Sequence, residues 1–155
     1  MDTNERVLLE QPFLEGIDPA AAHLLAACTR NVRFERGLYL FHEGEPADEL
    51  YLLRAGMVAI EIAAPGRAPV AIATLRQGDV VGASWLVPPY RWTFDARAVE
   101  TTSAFGVDAA CLRSKCDADG RFGYAMMKRF VPVLVQRMQA ARFQILDVYS
   151  KRSAL

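Results

Sequence analysis

The chain has 155 residues, about half of them apolar, and its 18 basic residues balance 18 acidic ones. This length suits one domain that spans residues 1–155 and closes one hydrophobic core. Binding to a phosphate backbone draws on a basic surplus, so the zero net charge excludes a generally cationic nucleic-acid protein. No apolar run approaches the roughly 20 residues of a membrane span, and we expect neither a span nor a signal peptide.

The chain contains three cysteines, Cys28, Cys111 and Cys116. An odd number without an export signal favours free thiols over a disulfide framework, because disulfides belong to oxidising compartments. We therefore expect a reducing compartment, by default the cytoplasm.

A helical lead-in is predicted over residues 18–30. Asp18 is a suitable N-cap, and Pro19 fits the first helical position. His23 lies beside the apolar face and is interpreted as an ordinary surface histidine. The apolar face at helical spacing consists of Ala21, Leu24, Leu25 and Cys28.

Residues 32–107 are predicted to be all β. Short apolar runs alternate with turn residues every eight to twelve positions, which is typical of a sandwich or barrel. The segments VAIEIA and VAIATL alternate as strands with one buried face do, and Pro65-Gly66 between them predicts a hairpin turn.

Residues 109–149 are predicted to be helical, with a short helix at Cys111–Cys116 and a long one from about Phe122 to Tyr149. A helix of about 28 residues would be about 42 Å long, more than a small roll can cover. Its apolar residues have the spacing of a coiled-coil seam and predict a homodimer. Alternatively, Pro132 splits the segment into two helices that fold onto the roll. The predicted seam, called the seam stripe below, consists of Met127, Val131, Leu134, Met138, Ala141, Ile145 and Val148.

An ordered series of residues between Phe34 and Ala98 resembles the cyclic nucleotide-binding domain shared by Crp–Fnr regulators, protein-kinase regulatory subunits and gated channels. The matching segments read FERGLYLFHEG, ELYLLRAGMVAIEI and LRQGDVVG. The resemblance implies a mainly β fold with flanking helices. This fold is an antiparallel double-stranded β-helix, or jelly roll, with a long C-terminal dimerisation helix.

The resemblance also implies a ligand site, the phosphate-binding cassette that follows the last glycine of LRQGDVVG. In the family a Glu binds the ribose and an Arg pairs with the cyclic phosphate, for which its fork of N–H groups is suited. In this chain Ala83 replaces the Glu and Trp92 replaces the Arg, and Arg91 is one position away. The predicted ligand positions are Gly82, Ala83, Ser84, Trp85, Leu86, Arg91, Trp92 and Thr93.

Three interpretations of the cassette are open. In the first, the pocket accepts a different small molecule, flatter or more apolar, with Arg91 or Arg97 near its acid group. In the second, Trp85, Trp92 and Phe94 fill the pocket, and the domain is a dimerisation or docking scaffold. In the third, a cyclic nucleotide binds through Arg91 or through backbone amides alone; no other cofactor is expected.

Other chemistry has little support in the sequence. With only two histidines, neither a catalytic arrangement nor a metal site is indicated, although a redox or metal sensor using His42, Cys111 and Cys116 is the rival hypothesis. In Crp–Fnr regulators a helix-turn-helix domain follows the long helix. The sequence ends at Leu155, so we expect no DNA reading by that route. The function expected is non-catalytic regulation or ligand sensing, exerted through a partner protein.

Overall fold

The computed structural model describes residues 3–153, apart from the side chains of 144, 148 and 151–153. It begins with helix α1, Thr3–Leu9, a 3-10 turn at Pro12–Leu14, and helix α2, Pro19–Ala26. The capping prediction is confirmed, because the Asp18 carboxylate accepts a hydrogen bond from the amide of Ala20 at 3.3 Å. The helix is shorter than the predicted residues 18–30, since the first strand already begins at Thr29.

Eight strands follow within the described residues and form two four-stranded antiparallel sheets. The strands are β1 Thr29–Phe34, β2 Tyr39–Phe41, β3 Glu49–Ala55, β4 Val58–Ile62, β5 Val70–Leu75, β6 Val80–Val81, β7 Asp95–Ala98 and β8 Thr102–Asp108. The sheet orders are β1-β8-β3-β6 and β2-β7-β4-β5. Pro65-Gly66 lies in the connection between the paired strands β4 and β5, as the hairpin prediction required. The predicted mainly β jelly roll with flanking helices is confirmed.

Two helices complete the fold. Helix α3, Ala109–Ala118, is capped by Asp108, whose carboxylate accepts from the Cys111 amide at 2.7 Å. Helix α4, Gly120–Ser153, has 34 residues, which corresponds to about 51 Å. Its first part packs on the roll, because Phe122, Met126 and Phe130 recur every fourth residue and are all buried.

Helix α4 continues through Pro132. The alternative in which the proline divides this segment into two helices is therefore wrong. Proline removes one helical hydrogen bond and disfavours the turn before it. Burial of Phe130, two residues before the proline, fixes the helix against the roll on that side.

The prediction of three free thiols is also wrong. Cys28 and Cys111 form a disulfide, with 5.7 Å between their Cα atoms and 83 positions between them in sequence. The physical reason is that β1 and β8 pair along their length, which brings the residue before β1 next to the start of α3. Cys116 is the free cysteine of the described chain. The cysteines consequently give no support to a reducing compartment.

None of the helices described is both long enough and apolar enough to cross a bilayer.

Candidate ligand-binding site

The cassette begins at Gly82, directly after β6, where the backbone has a φ of +92°. An ideal Cβ built at Gly82 would lie 2.1 Å from Cζ3 of Trp92. Only glycine permits this approach, because the left-handed conformation disfavours a side chain and the indole occupies the space that the side chain would need. Gly82 is therefore the surface on which Trp92 rests.

The two tryptophans of the cassette belong to the hydrophobic core. Trp92 is 3% exposed, and its ring stacks on Phe41 with centroids 3.6 Å apart and planes inclined by 7°. Phe94 packs at the edge of this pair, 6.4 Å from Trp92. Trp85 is fully buried and meets the ring of Phe130 edge-on at 5.0 Å. Both indoles thus make the aromatic contacts expected of core residues.

The two arginines predicted to meet an acid group have other partners. Arg91 is exposed, and its Nη1 donates to the Gly44 carbonyl at 2.8 Å. Arg97 forms a bidentate salt bridge with the buried carboxylate of Glu61. Its Nε donates to Oε1 at 3.1 Å and its Nη2 donates to Oε2 at 3.0 Å. These contacts hold the cassette to the loop after β2 and join β7 to β4.

The remaining predicted ligand positions lie at the edge of the same loop. Ala83, Ser84 and Leu86 are half-buried, and Thr93 is exposed. Their assignment to a ligand stays a prediction.

The sequence analysis did not identify Arg113 of α3, whose guanidinium contacts two residues of the cassette. Its Nη1 donates to the Trp85 carbonyl at 2.6 Å, and its guanidinium lies 4.1 Å from the ring centroid of Tyr90. Such a contact between distant segments leaves no local signal in the sequence.

A large cavity of about 810 Å³ lies beside the cassette, between the roll and α4. One wall is the inner side of β4 and β5, represented by Ile60, Ile72 and Leu75. A second wall is the 3-10 turn with Phe13, and the third is α4 from Lys128 to Ala141. Its volume is typical of small-molecule sites. Of the predicted ligand positions, all of which the structure describes, none lines this cavity.

The cavity contains charged groups among its apolar walls. Lys128, Arg129 and Arg137 contribute three positive charges, and Asp79 contributes one negative charge. Burial lowers the pKa of the Arg137 guanidinium, and the charge of Asp79 acts in the opposite direction. Arginine remains protonated despite such shifts, so the cavity has a surplus of positive charge.

The residues of the seam stripe lie in two different environments on α4. Met127 packs against the core, and Ala141 lines the cavity. The other four described members are exposed, with Leu134 at 36% and Met138 at 73%. Val148 lies outside the described side chains. The exposed apolar face is wider than predicted, because it also includes Val135, Phe143, Leu146 and Tyr149.

The metal and redox cluster named in the rival hypothesis is not assembled. Within the described residues, no group of three or more His, Cys, Asp or Glu could hold a metal ion. Cys111 is bonded to Cys28 instead of Cys116, and burial raises the pKa of the Cys116 thiol. The His42 Nδ1 lies 3.6 Å from Oδ1 of Asp95, directly after β2 of one sheet, whereas Cys111 and Cys116 lie in α3, which follows β8 of the other sheet. The other histidine, His23, is exposed, and its Nδ1 lies 3.6 Å from Oε2 of Glu5.

A family model described as the cyclic nucleotide-binding domain matches residues 31–119, more than half of the chain. The chain belongs to this family. The matched region contains the strands from β2 to β8, the cassette and α3.

A curated relative agrees with this membership of the cyclic nucleotide-binding domain family. It is the CRP-like cAMP-activated global transcriptional regulator of Mycobacterium tuberculosis, 29% identical over 110 residues. The match covers 71% of this chain and 49% of the relative, so the chain spans about half the length of that regulator.

Two solved structures share the fold at lower sequence identity. A cyclic nucleotide-binding domain from Methylobacillus flagellatus aligns with a TM-score of 0.77 at 17% identity, over 93% of this chain and 81% of that one. The sensor domain of the transcriptional regulator DNR from Pseudomonas aeruginosa aligns with a TM-score of 0.68 at 21% identity, over 87% and 93%. These two likenesses show the fold, and the family match with the CRP-like relative supports a ligand-sensing regulatory domain.

Proposed function

We propose that this chain is a non-catalytic regulatory domain that senses a small molecule other than a cyclic nucleotide and passes the signal on through α4. The observation that carries the proposal is the packing of Trp92 on Phe41 and over Gly82, with the indole 3% exposed. An anion held at this point of the cassette would have to displace the indole, which is part of the hydrophobic core.

The residues of the cassette do not fit a cyclic phosphate. A buried anion requires a guanidinium or several amide donors, whereas Arg91 is bonded to Gly44 and Arg97 is bonded to Glu61. Ala83 supplies no carboxylate for a ribose hydroxyl. Loss of two charge-assisted contacts, at about 2 kcal/mol each, weakens binding roughly a thousandfold.

Isothermal titration calorimetry with cyclic AMP and cyclic GMP tests this proposal. We expect no measurable heat with either nucleotide up to about 100 µM, because a thousandfold loss moves a micromolar site into the millimolar range. Arg91→Ala and the exposed Arg142→Ala, on α4, form a matched pair for the same titration. Micromolar binding would contradict the proposal, and its loss in Arg91→Ala alone would identify Arg91 as the replacement for the cassette arginine.

We further propose that α4 is the surface through which the signal leaves the domain, in a homodimer. Val131, Leu134, Met138 and Ile145 present apolar side chains to solvent at the spacing of a helix–helix seam. Contiguous apolar surface on one chain is stabilised when a second apolar surface covers it. A partner protein with an equivalent helix could take the place of the second copy.

Sedimentation velocity tests the dimer with a pair of α4 variants. Leu134→Glu places a charge in the seam and is expected to produce monomers, because burying an unpaired carboxylate is costly. Gln139→Glu adds the same charge next to the stripe and should leave the dimer intact. Equal sedimentation coefficients for the two variants would count against the seam.

We propose that this 155-residue segment does not itself bind DNA, since its charge is balanced overall. A cytoplasmic location stays a proposal that rests on the regulators of the family.

A further inference from the structure

The cavity between the roll and α4 is mostly apolar and has a net positive charge. Ile60, Ile72, Leu75 and Phe94 of the roll form apolar walls. Its three cations, Lys128, Arg129 and Arg137, outnumber the single carboxylate of Asp79. Asp79 is itself engaged, because its carboxylate accepts a hydrogen bond from the amide of Arg76 at 2.8 Å.

The two arginines of the cavity differ in the hydrogen-bond partners of their guanidinium groups. Arg137 donates to the carbonyl of Val80. Arg129 donates from Nη2 to the carbonyl of Glu15 at 2.9 Å, but its Nε is buried and has no hydrogen-bond partner among the residues that the structure describes. Neither arginine forms an ion pair with a carboxylate in the described part of the chain.

A buried N–H without a partner is costly, and an ionised acceptor is its strongest partner. Nε and Nη2 of arginine lie side by side and match the two oxygens of a carboxylate. The same fork already operates elsewhere in this chain, where Nε and Nη2 of Arg97 meet the carboxylate of Glu61. Arg129 lines the cavity beside apolar walls, and no carboxylate of the described residues forms an ion pair with it. Because its Nε is buried, a ligand in the cavity would have to meet the Nη end of the guanidinium.

We propose that the cavity binds an organic carboxylate with an apolar body, and that Arg129 holds the carboxylate. The proposal rests on the proposed function, since it names the class of small molecule that is sensed. The apolar body lies against Ile60, Ile72 and Leu75, and Arg137 adds positive potential. A neutral apolar molecule would fill the same space but leave the positive charges of the cavity without a counter-charge.

Calorimetry with decanoate and its uncharged analogue decanamide tests the ligand class. The two molecules share an apolar chain and differ in the charge of the head group. We expect decanoate to bind about tenfold to a hundredfold more tightly than decanamide, the effect of one charge-assisted contact. Equal affinity for the two, or no heat with decanoate up to about 1 mM, would overturn the inference.

Three α4 variants then locate the binding site. Arg129→Gln should weaken decanoate about tenfold or more while leaving decanamide unchanged. Arg142→Gln removes a charge from an exposed position of the same helix outside the cavity and should have no effect. Ala140→Trp fills the cavity from its exposed wall and should abolish binding of both molecules. Circular dichroism confirms that each variant is folded.

The arms of the experiment separate failure of the inference from failure of the proposed function. Decanoate binding that is unaffected by Arg129→Gln and Ala140→Trp overturns the inference alone. Micromolar binding of cyclic AMP overturns the proposed function, whatever decanoate does. Tight decanoate binding that only Arg129→Gln and Ala140→Trp impair supports both.

Discussion

The cassette and the cavity are neighbouring regions of one fold, and they differ in what fills them. In the cassette, Trp92, Phe41 and Phe94 pack against one another and leave no room. In the cavity, apolar walls and the cations Lys128, Arg129 and Arg137 surround about 810 Å³ of open space. The difference teaches that the segment predicted to bind a ligand can be packed with aromatic side chains while the space beside it stays open. Membership of a family then establishes the fold and leaves the ligand to be found from the packing.

The largest expected effect comes from emptying the cassette. Trp92→Ala should lower the free energy of unfolding by about 4 kcal/mol, because it removes a buried aromatic ring and leaves a cavity. Arg91→Ala, at the exposed neighbouring position, should cost less than about 1 kcal/mol. Urea denaturation followed by circular dichroism measures both. A cost for Trp92→Ala as small as that for Arg91→Ala would mean that the indole does not fill the core.

Reduction of the disulfide should have a comparable effect without touching either region. A cross-link over 83 positions stabilises by up to about 4 kcal/mol in the chain-entropy description. The expected result is a lower unfolding midpoint in dithiothreitol, with binding of decanoate retained. Mass spectrometry after alkylation without reductant should find one modified cysteine, Cys116. Three modified cysteines in the folded, unreduced protein would refute the cross-link.

A pair of glycine variants isolates the contact beneath Trp92. Gly37 and Gly82 have nearly equal φ values, +91° and +92°, but a Cβ at Gly37 meets nothing within 4 Å. Gly37→Ala should therefore cost about 1 kcal/mol for its backbone conformation alone. Gly82→Ala should cost about 2 kcal/mol more, since its Cβ displaces the indole.

The extra cost of Gly82→Ala should disappear in a Trp92→Ala background, where the space is free. Persistence of the extra cost in the double variant would show that something other than the indole limits the site.

The smallest effect is a change in titration. Tyr51 lies in the aromatic cluster below the cassette, stacked near Phe41 with centroids 6.5 Å apart. Burial, aided by the charge of Glu49, raises the pKa of Tyr51 to about 12. The unfolded chain titrates near pH 10. The stability that Tyr51 contributes is therefore fully present below about pH 10 and lost as the pH rises towards 12.

Absorbance at 295 nm measures this titration, and the difference between the protein and Tyr51→Phe isolates the one residue. In Trp92→Ala the pKa should move back towards 10 as water enters the cluster. A difference spectrum that titrates at about pH 10 in the unsubstituted protein would refute the burial argument.

The parts of the fold that follow from local patterns could be predicted from the sequence. Asp18-Pro19 begins a helix, and the series from Phe34 to Gly82 marks the turns and strands of the roll. Pro132 shows where a local rule fails, because packing of α4 on the roll outweighs the loss of one hydrogen bond. The pairing of Cys28 with Cys111 could not be found locally, since it depends on the register of β1 with β8.

The candidate site was less accessible from the sequence than the fold. The sequence predicted that Ala83 and Trp92 depart from the family pattern, but it did not predict where either side chain packs. The cavity is built from the 3-10 turn, β4, β5 and α4, which are distant in the chain. The unpaired Nε–H of Arg129 exists only when these segments meet. No local sequence pattern predicts these tertiary contacts.

The disulfide has a mechanical consequence. Every strand described lies between Cys28 and Cys111 in the sequence, so the cross-link closes the roll into a covalent ring. A molecule wedged under α4 cannot open this ring at its ends. The displacement would fall on the part of α4 after Phe130, because buried Phe122, Met126 and Phe130 hold the first part against the roll. The 23 helical residues from 131 to 153 extend about 35 Å, so a small bend after Phe130 would become a movement of several ångströms at the end of the helix.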